Sequence, residues 1–204
     1  MNFIGIDLEG VLVPEIWMSL AEKTGISELN LTTKDISDYK ELMKKRIEVL
    51  TNQNIKADIL FDVAKKIEPF EGAKNFLNNL REKYQVVILS DTFFNLSRPI
   101  FKKLDNPTVF CHRLIVNDNN MISGFKLCIE NHKKLTLKYM NKLNFKTIAI
   151  GDSLNDIGML KEAGTGIFFR SIPSITEKHM NHFSCDDYKT LEKKIEKIFK
   201  KESD

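Results

Sequence analysis

Cysteine is scarce in this chain, which has Cys111, Cys128 and Cys185 among its 204 residues. The three form an odd number and match no metal-binding spacing, which indicates reduced thiols in the cytoplasm rather than a disulfide framework. His179 and His182 could share a helix face, but no third ligand stands near them in the sequence. We therefore interpret both histidines as surface residues.

Long apolar runs and a strong excess of one charge are also lacking. No basic segment is followed by an apolar run, as it would be in an export signal. No apolar run is long enough to span a membrane. The net charge of +3 is too small to indicate a nucleic-acid partner. Residues 189–201 are rich in lysine with apolar residues at helical spacing, which is typical of an amphipathic helix with a solvated face.

The stretch 3–13, FIGIDLEGVLV, joins an apolar run to two acids, Asp7 and Glu9. A short run without charge is typical of a central strand of a parallel sheet, buried on both faces. The carboxyl ends of such strands border the ligand crevice of an open α/β sheet. Two acids there favour a divalent cation with oxygen ligands, for which we expect Mg²⁺. Solvated acids at a strand end are the alternative.

A second stretch, nearer the other end of the chain, shows the same sequence pattern of an apolar run followed by two acids. The β-rich run 146–150 is followed by Asp152 and Asp156 and then by a helical pattern over 157–163. If Asp152 lies at the strand tip and Asp156 in the first helical turn, both can point into the crevice that Asp7 borders. Two pairs of acids at strand ends predict one metal site.

The segment 15–71 carries helical patterns and no strand. A crossover between parallel strands needs far fewer residues, so we expect an inserted all-helical cap here. Residues 1–14 and 72–204 would then form the α/β core, a Rossmann-like parallel sheet with helices on both faces. Within the cap, 32–35 is predicted to begin a helix that runs to residue 54, with an acid as its cap.

Further strands and helices are predicted after the cap. The run 85–89 is a buried strand that ends at 90–92, Ser-Asp-Thr, and a helix follows. Residues 114–116 and 122–129 flank the turn-rich tetrapeptide 117–120, which predicts a hairpin. Lys133 and Lys134 begin the next helix.

Asp7 at a strand tip beside Mg²⁺ can attack phosphorus and form an aspartyl-phosphate. Glu9 points the same way along an extended segment. It can protonate the leaving alcohol and later deprotonate water. This pair predicts phosphoryl transfer.

The phosphoryl oxygens would need donors and a cation. Ser90 and Asp91 offer a hydroxyl and backbone N–H groups, and either Lys133 or Lys134 can offset the charge on the oxygens. Taken singly, Ser90 is more simply a hydroxyl at a strand end and Lys133 a solvated helix start. Their combination with Asp7 favours the functional interpretation.

Four sequence motifs occur in the order of a known family. D-x-E-G-V-L begins at Asp7, S-D-T at Ser90, a lysine stands near 133, and G-D-S-x-N-D begins at Gly151. Nearly end to end, the chain resembles the haloacid dehalogenase-like phosphatase superfamily, and its helical insertion resembles the cap of the phosphoserine phosphatase type.

The first motif departs from the usual pattern, because Glu9 stands where most members have aspartate. Together with V-P-E-I-W at 13–17 and A-E-K-T-G at 21–25, this resembles a narrower branch of bifunctional phosphatases, which hydrolyse phosphoserine and transfer its phosphoryl group to homoserine. Members of this branch are typically homodimers. We hypothesise that the longer side chain positions water less well, so that an alcohol competes for the aspartyl-phosphate.

The resemblance implies a role for each candidate residue. Asp7 would be the nucleophile and a Mg²⁺ ligand, and Glu9 the acid–base residue, with its main-chain carbonyl on the metal. Asp152 would be the second side-chain ligand, supported by Asp156. Phosphoserine would be held by Glu15 and Arg46 at its amino and carboxylate groups, and by Ser90, Asp91, Lys133 and Asn155 at its phosphoryl group.

Three rival functions differ in the residues they use. A non-enzymatic phospho-receiver would leave the cap and the pair Asp152 and Asp156 unused. A dehalogenase attacks carbon and needs neither a metal nor Glu9. A phosphatase for sugars or nucleotides shares the core motifs, and Glu15 and Arg46 alone favour an amino-acid substrate over it. An exposed helix arginine is the simpler interpretation of Arg46 without the family.

Overall fold

A computed structural model describes residues 1–33, 35–36, 38–179 and 182–201. The strands are β1 (Asn2–Ile6), β2 (Gln85–Phe93), β3 (Val109–Val116), β4 (Ile122–Lys126), β5 (Lys146–Gly151), β6 (Thr165–Phe169) and β7 (Phe183–Cys185). The helices are α1 (Ile16–Thr24), α2 (Tyr39–Asn52), α3 (Ala57–Lys66), α4 (Ala73–Lys83), α5 (Phe94–Lys103), α6 (His132–Lys142), α7 (Ile157–Glu162), α8 (Pro173–Thr176) and α9 (Tyr188–Lys201).

The strands of the described residues form one sheet in the order β4-β3-β2-β1-β5-β6-β7. All neighbouring strands are parallel except β4, which pairs antiparallel with β3. The strand β1 lies at the centre, between β2 and β5. The predicted α/β fold with a mostly parallel sheet is therefore confirmed, and it brings the carboxyl ends of β1, β2 and β5 to one edge.

Alternating side chains of the strands build two cores, one on each face of the sheet. Ile148 and Ile150 of β5 belong to a large cluster that includes residues of α4, α5 and α9. Ala149, between them, belongs to a smaller cluster with Leu137 of α6 and Met159 of α7. Because both faces are covered, the central strands carry uninterrupted apolar runs.

Helices α1 to α4 fill the sequence between β1 and β2, where no strand is found among the described residues. The predicted helix start at 32–35 is wrong, since α2 begins only at Tyr39. Asp38 caps this helix by accepting a hydrogen bond from the N–H of Glu41 at 2.9 Å. Asp35 instead accepts from the N–H of Thr32 at 2.9 Å and closes a turn.

Two strand predictions needed correction. β2 does not end at 89 but runs on to Phe93, and its ladder with β3 shifts register between Leu89 and Phe93. This irregularity leaves Ser90 and Asp91 in the strand at the crevice edge. The hairpin is confirmed, although β4 ends at Lys126 rather than at 129. None of the helices in the described residues has the length and apolar character needed to cross a membrane.

Candidate active site

A cavity of about 270 Å³ lies at the carboxyl edge of the sheet, beneath α1 and α2. Its walls come from the strand ends on one side and from the helices between β1 and β2 on the other. Every residue predicted for the site lines it, except Asp156, which is fully buried behind it. The topology thus brings together side chains from five separate parts of the chain.

Asp7, Asp152 and Asp156 form a carboxylate cluster, in which one oxygen atom from each residue lies within 4.8 Å of the other two. Asp7 follows β1 and Asp152 follows β5, so the two neighbouring strands deliver both acids to the same point. The Oδ1 atom of Asp152 is buried and has no hydrogen-bond partner among the described residues. An orphaned buried carboxylate oxygen among other carboxylates is what a site for a hard divalent cation requires.

Asp156 fixes the loop that carries Asp152. Its Oδ2 atom accepts hydrogen bonds from the N–H groups of Asp152 at 3.0 Å and Ser153 at 3.2 Å. Its Oδ1 atom accepts one from Lys133 Nζ at 2.9 Å. Both oxygens of Asp156 therefore accept hydrogen bonds, and through them Asp156 orients the loop of Asp152 and the side chain of Lys133.

Lys133 lies at the centre of the site. Its Nζ atom is 3.0 Å from Asp7 Oδ1, 2.9 Å from Asp156 Oδ1 and 3.4 Å from Asp91 Oδ2. Lys134 is exposed one residue further along α6. Of the two lysines left open by the sequence, the structure places Lys133 in the site.

Burial and mutual repulsion perturb the acids. Removal from water, reinforced by the charge of Asp156, raises the pKa of Asp7 well above its usual range despite Lys133. The same two causes raise the pKa of Asp152 to about 7. Burial opposes the charge of Lys133, but the carboxylates around it outweigh that effect and raise its pKa. The cluster holds more negative charge than one lysine balances, which favours a bound cation.

Two glycines allow the close packing of this cluster. Gly10 has φ of 80°, and a Cβ there would lie 2.4 Å from Asp152 Oδ2. At Gly151 a Cβ would lie 2.4 Å from the Cβ of Asp156. Any larger residue at either position would displace an acid of the cluster.

Glu9 lies on the turn between β1 and α1. Its Oε1 atom accepts a hydrogen bond from the N–H of Ile16 at 2.8 Å. Burial, with a further contribution from Glu15, raises the pKa of Glu9 to about 8. A carboxyl group that keeps its proton near neutral pH can act as a general acid.

Arg46 enters the cavity from α2. It is 7% exposed, so the alternative of a solvated helix arginine is wrong. Its guanidinium stacks 4.7 Å from the centre of the Trp17 ring and donates from Nη2 to the carbonyl of Leu31 at 2.7 Å. The Nε atom is buried without a hydrogen-bond partner in the part of the chain that the structure describes. Glu15, just before α1, lines the same cavity.

The strand β2 adds polar groups opposite α1 and α2. Ser90 is buried, and its Oγ atom accepts from the N–H of Thr92 at 3.1 Å. Asp91 Oδ2 accepts from Asn155 Nδ2 at 3.1 Å. Burial alone would raise the pKa of Asp91, but Lys133 and the surrounding donors hold it well below its usual range.

Two residues that contact Asp91, Tyr39 and His112, were not predicted from the sequence. Tyr39 donates from its hydroxyl to the carbonyl oxygen of Asp91 at 2.6 Å, which links α2 to β2. His112 of β3 places its Nε2 atom 3.5 Å from Asp91 Oδ1. The sequence carries no signal for either contact, because both join residues far apart in the chain.

The chain matches a family model described as haloacid dehalogenase-like hydrolase over residues 4–164, and a second with the same description over residues 130–200. The chain belongs to this hydrolase family. The first match spans the strand ends that carry Asp7, Asp91 and Asp152, so the cavity lies within the region that the family shares.

The hydrolase is similar to known proteins over nearly its whole length. It is 40% identical to "Phosphoserine phosphatase ThrH" of Pseudomonas aeruginosa, over 96% of this chain and 95% of that protein. A solved structure described as a substrate-bound phosphoserine phosphatase complex superposes with a TM-score of 0.73 at 26% identity, covering 92% and 93% of the two chains. A phospho-aspartyl intermediate analogue of phosphoserine phosphatase gives 0.72 at 27% identity, covering 90% and 92%.

Proposed function

We propose that this hydrolase is a Mg²⁺-dependent phosphoserine phosphatase that works through an aspartyl-phosphate on Asp7. The observation that carries the proposal is the arrangement around Lys133 Nζ, which lies 3.0 Å from the Asp7 carboxylate at the floor of a cavity that also holds Glu9 and Arg46. A nucleophile, an acid, a cation for the phosphoryl oxygens and an arginine for a carboxylate thus share one cavity. The similarity to phosphoserine phosphatases supports this substrate.

The reaction has two halves, which use the same two residues. A carboxylate oxygen of Asp7 attacks phosphorus, the bond to the serine oxygen breaks, and Glu9 gives its proton to that oxygen. Glu9, now ionised, takes a proton from water as the water attacks the aspartyl-phosphate. Phosphate leaves, and both residues return to their starting states.

Mg²⁺ would be held by the side chains of Asp7 and Asp152 and the main-chain carbonyl of Glu9, with Asp156 supporting Asp152. When bound, the ion neutralises negative charge on the carboxylates and on the phosphoryl oxygens. Lys133 adds a second positive charge, Ser90 and the backbone of Asp91 bind phosphoryl oxygens, and Asn155 closes that side of the site.

Residues 15–71 would act as the cap that selects the substrate. Glu15 would bind the amino group of phosphoserine and Arg46 its carboxylate. We further propose, from the resemblance to the bifunctional phosphatases, that the protein forms a homodimer in the cytoplasm. Light scattering of the purified protein tests the homodimer by measuring its molar mass.

The first experiment is phosphate release from L-phosphoserine with Mg²⁺ or with a chelator, beside a panel of sugar phosphates and nucleotides. We expect release that depends on Mg²⁺ and is selective for phosphoserine. Release from other phosphates but not from phosphoserine would retain the nucleophile and refute the substrate. No release from any of them would refute the proposed activity.

Replacing Arg46 by lysine should raise KM for phosphoserine by about tenfold or more, because lysine cannot form the paired hydrogen bonds of a guanidinium with a carboxylate. A phosphomonoester without a carboxylate, such as phenyl phosphate, should be hydrolysed as before. The matched control is Arg98→Lys, on the exposed face of α5. Equal losses with both substrates would show that Arg46 does not read the carboxylate.

Gly10→Ala should weaken Mg²⁺ binding, because the new methyl group would displace Asp152. Gly25→Ala is a close control, since Gly25 has φ of 71° and nothing within 4 Å of a built Cβ. Both variants carry a backbone strain of about 1–2 kcal/mol. Only Gly10→Ala should raise the Mg²⁺ concentration for half-maximal activity, by about tenfold. Equal shifts in the two variants would assign the effect to strain.

The aspartyl-phosphate is also proposed to pass to homoserine. Glu9 is fixed by the N–H of Ile16, so a shorter acid should change where the proton is taken. We expect Glu9→Asp to shift the ratio of hydrolysis to transfer towards hydrolysis, measured as serine, phosphate and phosphohomoserine formed with homoserine present. Glu22→Asp, on the exposed face of α1, is the control. An unchanged ratio in Glu9→Asp would remove this explanation of transfer.

A further inference from the structure

Asp91 is a carboxylate for which the proposed chemistry has no use. Its Oδ2 atom lies 3.4 Å from Lys133 Nζ, on the side where the phosphoryl group would bind, and it does not belong to the carboxylate cluster of Asp7, Asp152 and Asp156. A carboxylate beside a phosphoryl group repels it, and it also competes for the same lysine. Hydrogen bonds from elsewhere must therefore hold it in place.

On its other side, the carboxylate of Asp91 faces His112. His112 is 4% exposed, and its Nε2 atom lies 3.5 Å from Asp91 Oδ1. The N–H of Cys128 donates to Nδ1 of the same ring at 3.2 Å. A neutral imidazole that accepts at Nδ1 carries its proton on Nε2. The ring therefore directs an N–H at Asp91, across a distance of 3.5 Å.

Aromatic neighbours fix the orientation of this ring. The centre of the His112 ring lies 5.7 Å from that of Tyr39 and 6.3 Å from that of Phe93. Tyr39 also donates to the carbonyl oxygen of Asp91. The backbone of Asp91 is thus held by Tyr39, and its side chain is contacted from another direction by His112.

We propose that His112 is a positioning residue, which holds Oδ1 of Asp91 so that Oδ2 serves Asn155 and leaves Lys133 available to the phosphoryl group. The proposal rests on the proposed function, because it takes a phosphoryl group as the ligand of Lys133. Without His112, Asp91 would turn fully towards Lys133, where it would compete with the phosphoryl oxygens.

The alternative hypothesis is that Asp91, His112 and His132 bind a metal ion, since one ligand atom from each lies within 4.8 Å of the others. The hydrogen bond from Cys128 argues against it. A histidine that binds a metal through Nε2 carries its proton on Nδ1 and donates it, whereas Nδ1 of His112 is an acceptor here. The ammonium of Lys133, 3.4 Å from Asp91, would also repel a cation.

A double-mutant cycle separates positioning from a general structural role. His112→Leu should raise KM for phosphoserine and the dissociation constant of orthophosphate by about tenfold, with kcat changed much less. His112→Gln, whose amide can donate from nearly the position of Nε2, should recover most of that loss. In an Asp91→Ala background, His112→Leu should have no further effect. Calorimetry with orthophosphate supplies a readout that does not depend on turnover.

Several outcomes would overturn the proposal. Equal effects of His112→Leu with and without Asp91 would make the role structural, and stoichiometric Zn²⁺ bound by the wild type and lost in His112→Leu would establish a metal site. If His112→Leu does not fold, the ¹⁵N shifts of the wild-type imidazole decide, and a proton on Nδ1 would contradict the hydrogen bond. If the wild type hydrolyses no phosphoserine, only the proposed function fails, and the orthophosphate titrations still test His112.

Discussion

Replacing Asp7 by asparagine should lower kcat for phosphoserine hydrolysis by more than about 10⁴, because an amide cannot form the aspartyl-phosphate. The same substitution should raise the free energy of unfolding in the absence of metal. Burial and the charge of Asp156 raise the pKa of Asp7 in the folded protein, so its ionised form destabilises the fold at neutral pH. The measurements are steady-state phosphate release and urea unfolding with a chelator.

The pH dependence of stability tests the cause of that gain. An acid whose pKa is raised on folding destabilises the folded protein as the pH rises above the pKa of that acid in the unfolded chain. For aspartate this pKa is 3.8. The advantage of Asp7→Asn over the wild type should therefore be small near pH 3 and grow towards neutral pH. Asp118→Asn, in an exposed turn, should change neither activity nor stability. A destabilised Asp7→Asn would show that the ion pair with Lys133 outweighs the repulsion.

Lys133→Met should lower the stability of the fold, in contrast to Asp7→Asn, and should lower the activity, as Asp7→Asn does. The substitution leaves the carboxylates of Asp7, Asp156 and Asp91 without the ammonium that now lies 2.9–3.4 Å from them. Removing one partner from a buried ion pair costs about 3–5 kcal/mol. Activity should fall by about 10³ or more, because the charge on the phosphoryl oxygens is no longer offset.

Lys134→Met is a matched control, one residue further along α6 and exposed. It should retain activity and stability, since the site uses its neighbour. Mg²⁺ should restore part of the stability lost in Lys133→Met, because it supplies positive charge to the same carboxylates. Urea unfolding with and without Mg²⁺ measures this. A loss in Lys134→Met as large as that in Lys133→Met would contradict the assignment of the lysine.

The carboxylate cluster could be predicted because its signals are local. β1 and β5 are runs without charge that end in acids, and parallel strands that neighbour one another deliver their ends to one edge. The pairing of Asp7 with Asp152 follows from those two facts. Lys133 needed the structure, since two adjacent lysines differ only in which face of α6 they occupy.

The contacts around Asp91 could not be predicted. Tyr39 and Asp91 are separated by 52 positions in the chain, and their hydrogen bond depends on where α2 packs against the sheet. The start of α2 was missed for a different reason. Asp35 and Asp38 are both able to cap a helix, and only the competing turn that Asp35 forms with Thr32 decides between them.

One oxygen of Asp156 accepts hydrogen bonds from the N–H groups of Asp152 and Ser153 and the other accepts one from Lys133, so this side chain joins the loop after β5 to α6. The segment from Asp152 to Asp156 therefore works as a link of fixed length. One residue inserted into it would leave every side chain of the site present, yet separate the loop that carries Asp152 from Lys133. Loop lengthening elsewhere is tolerated at small energetic cost, so intolerance to insertion, rather than to substitution, should distinguish this turn from the other connections of the sheet.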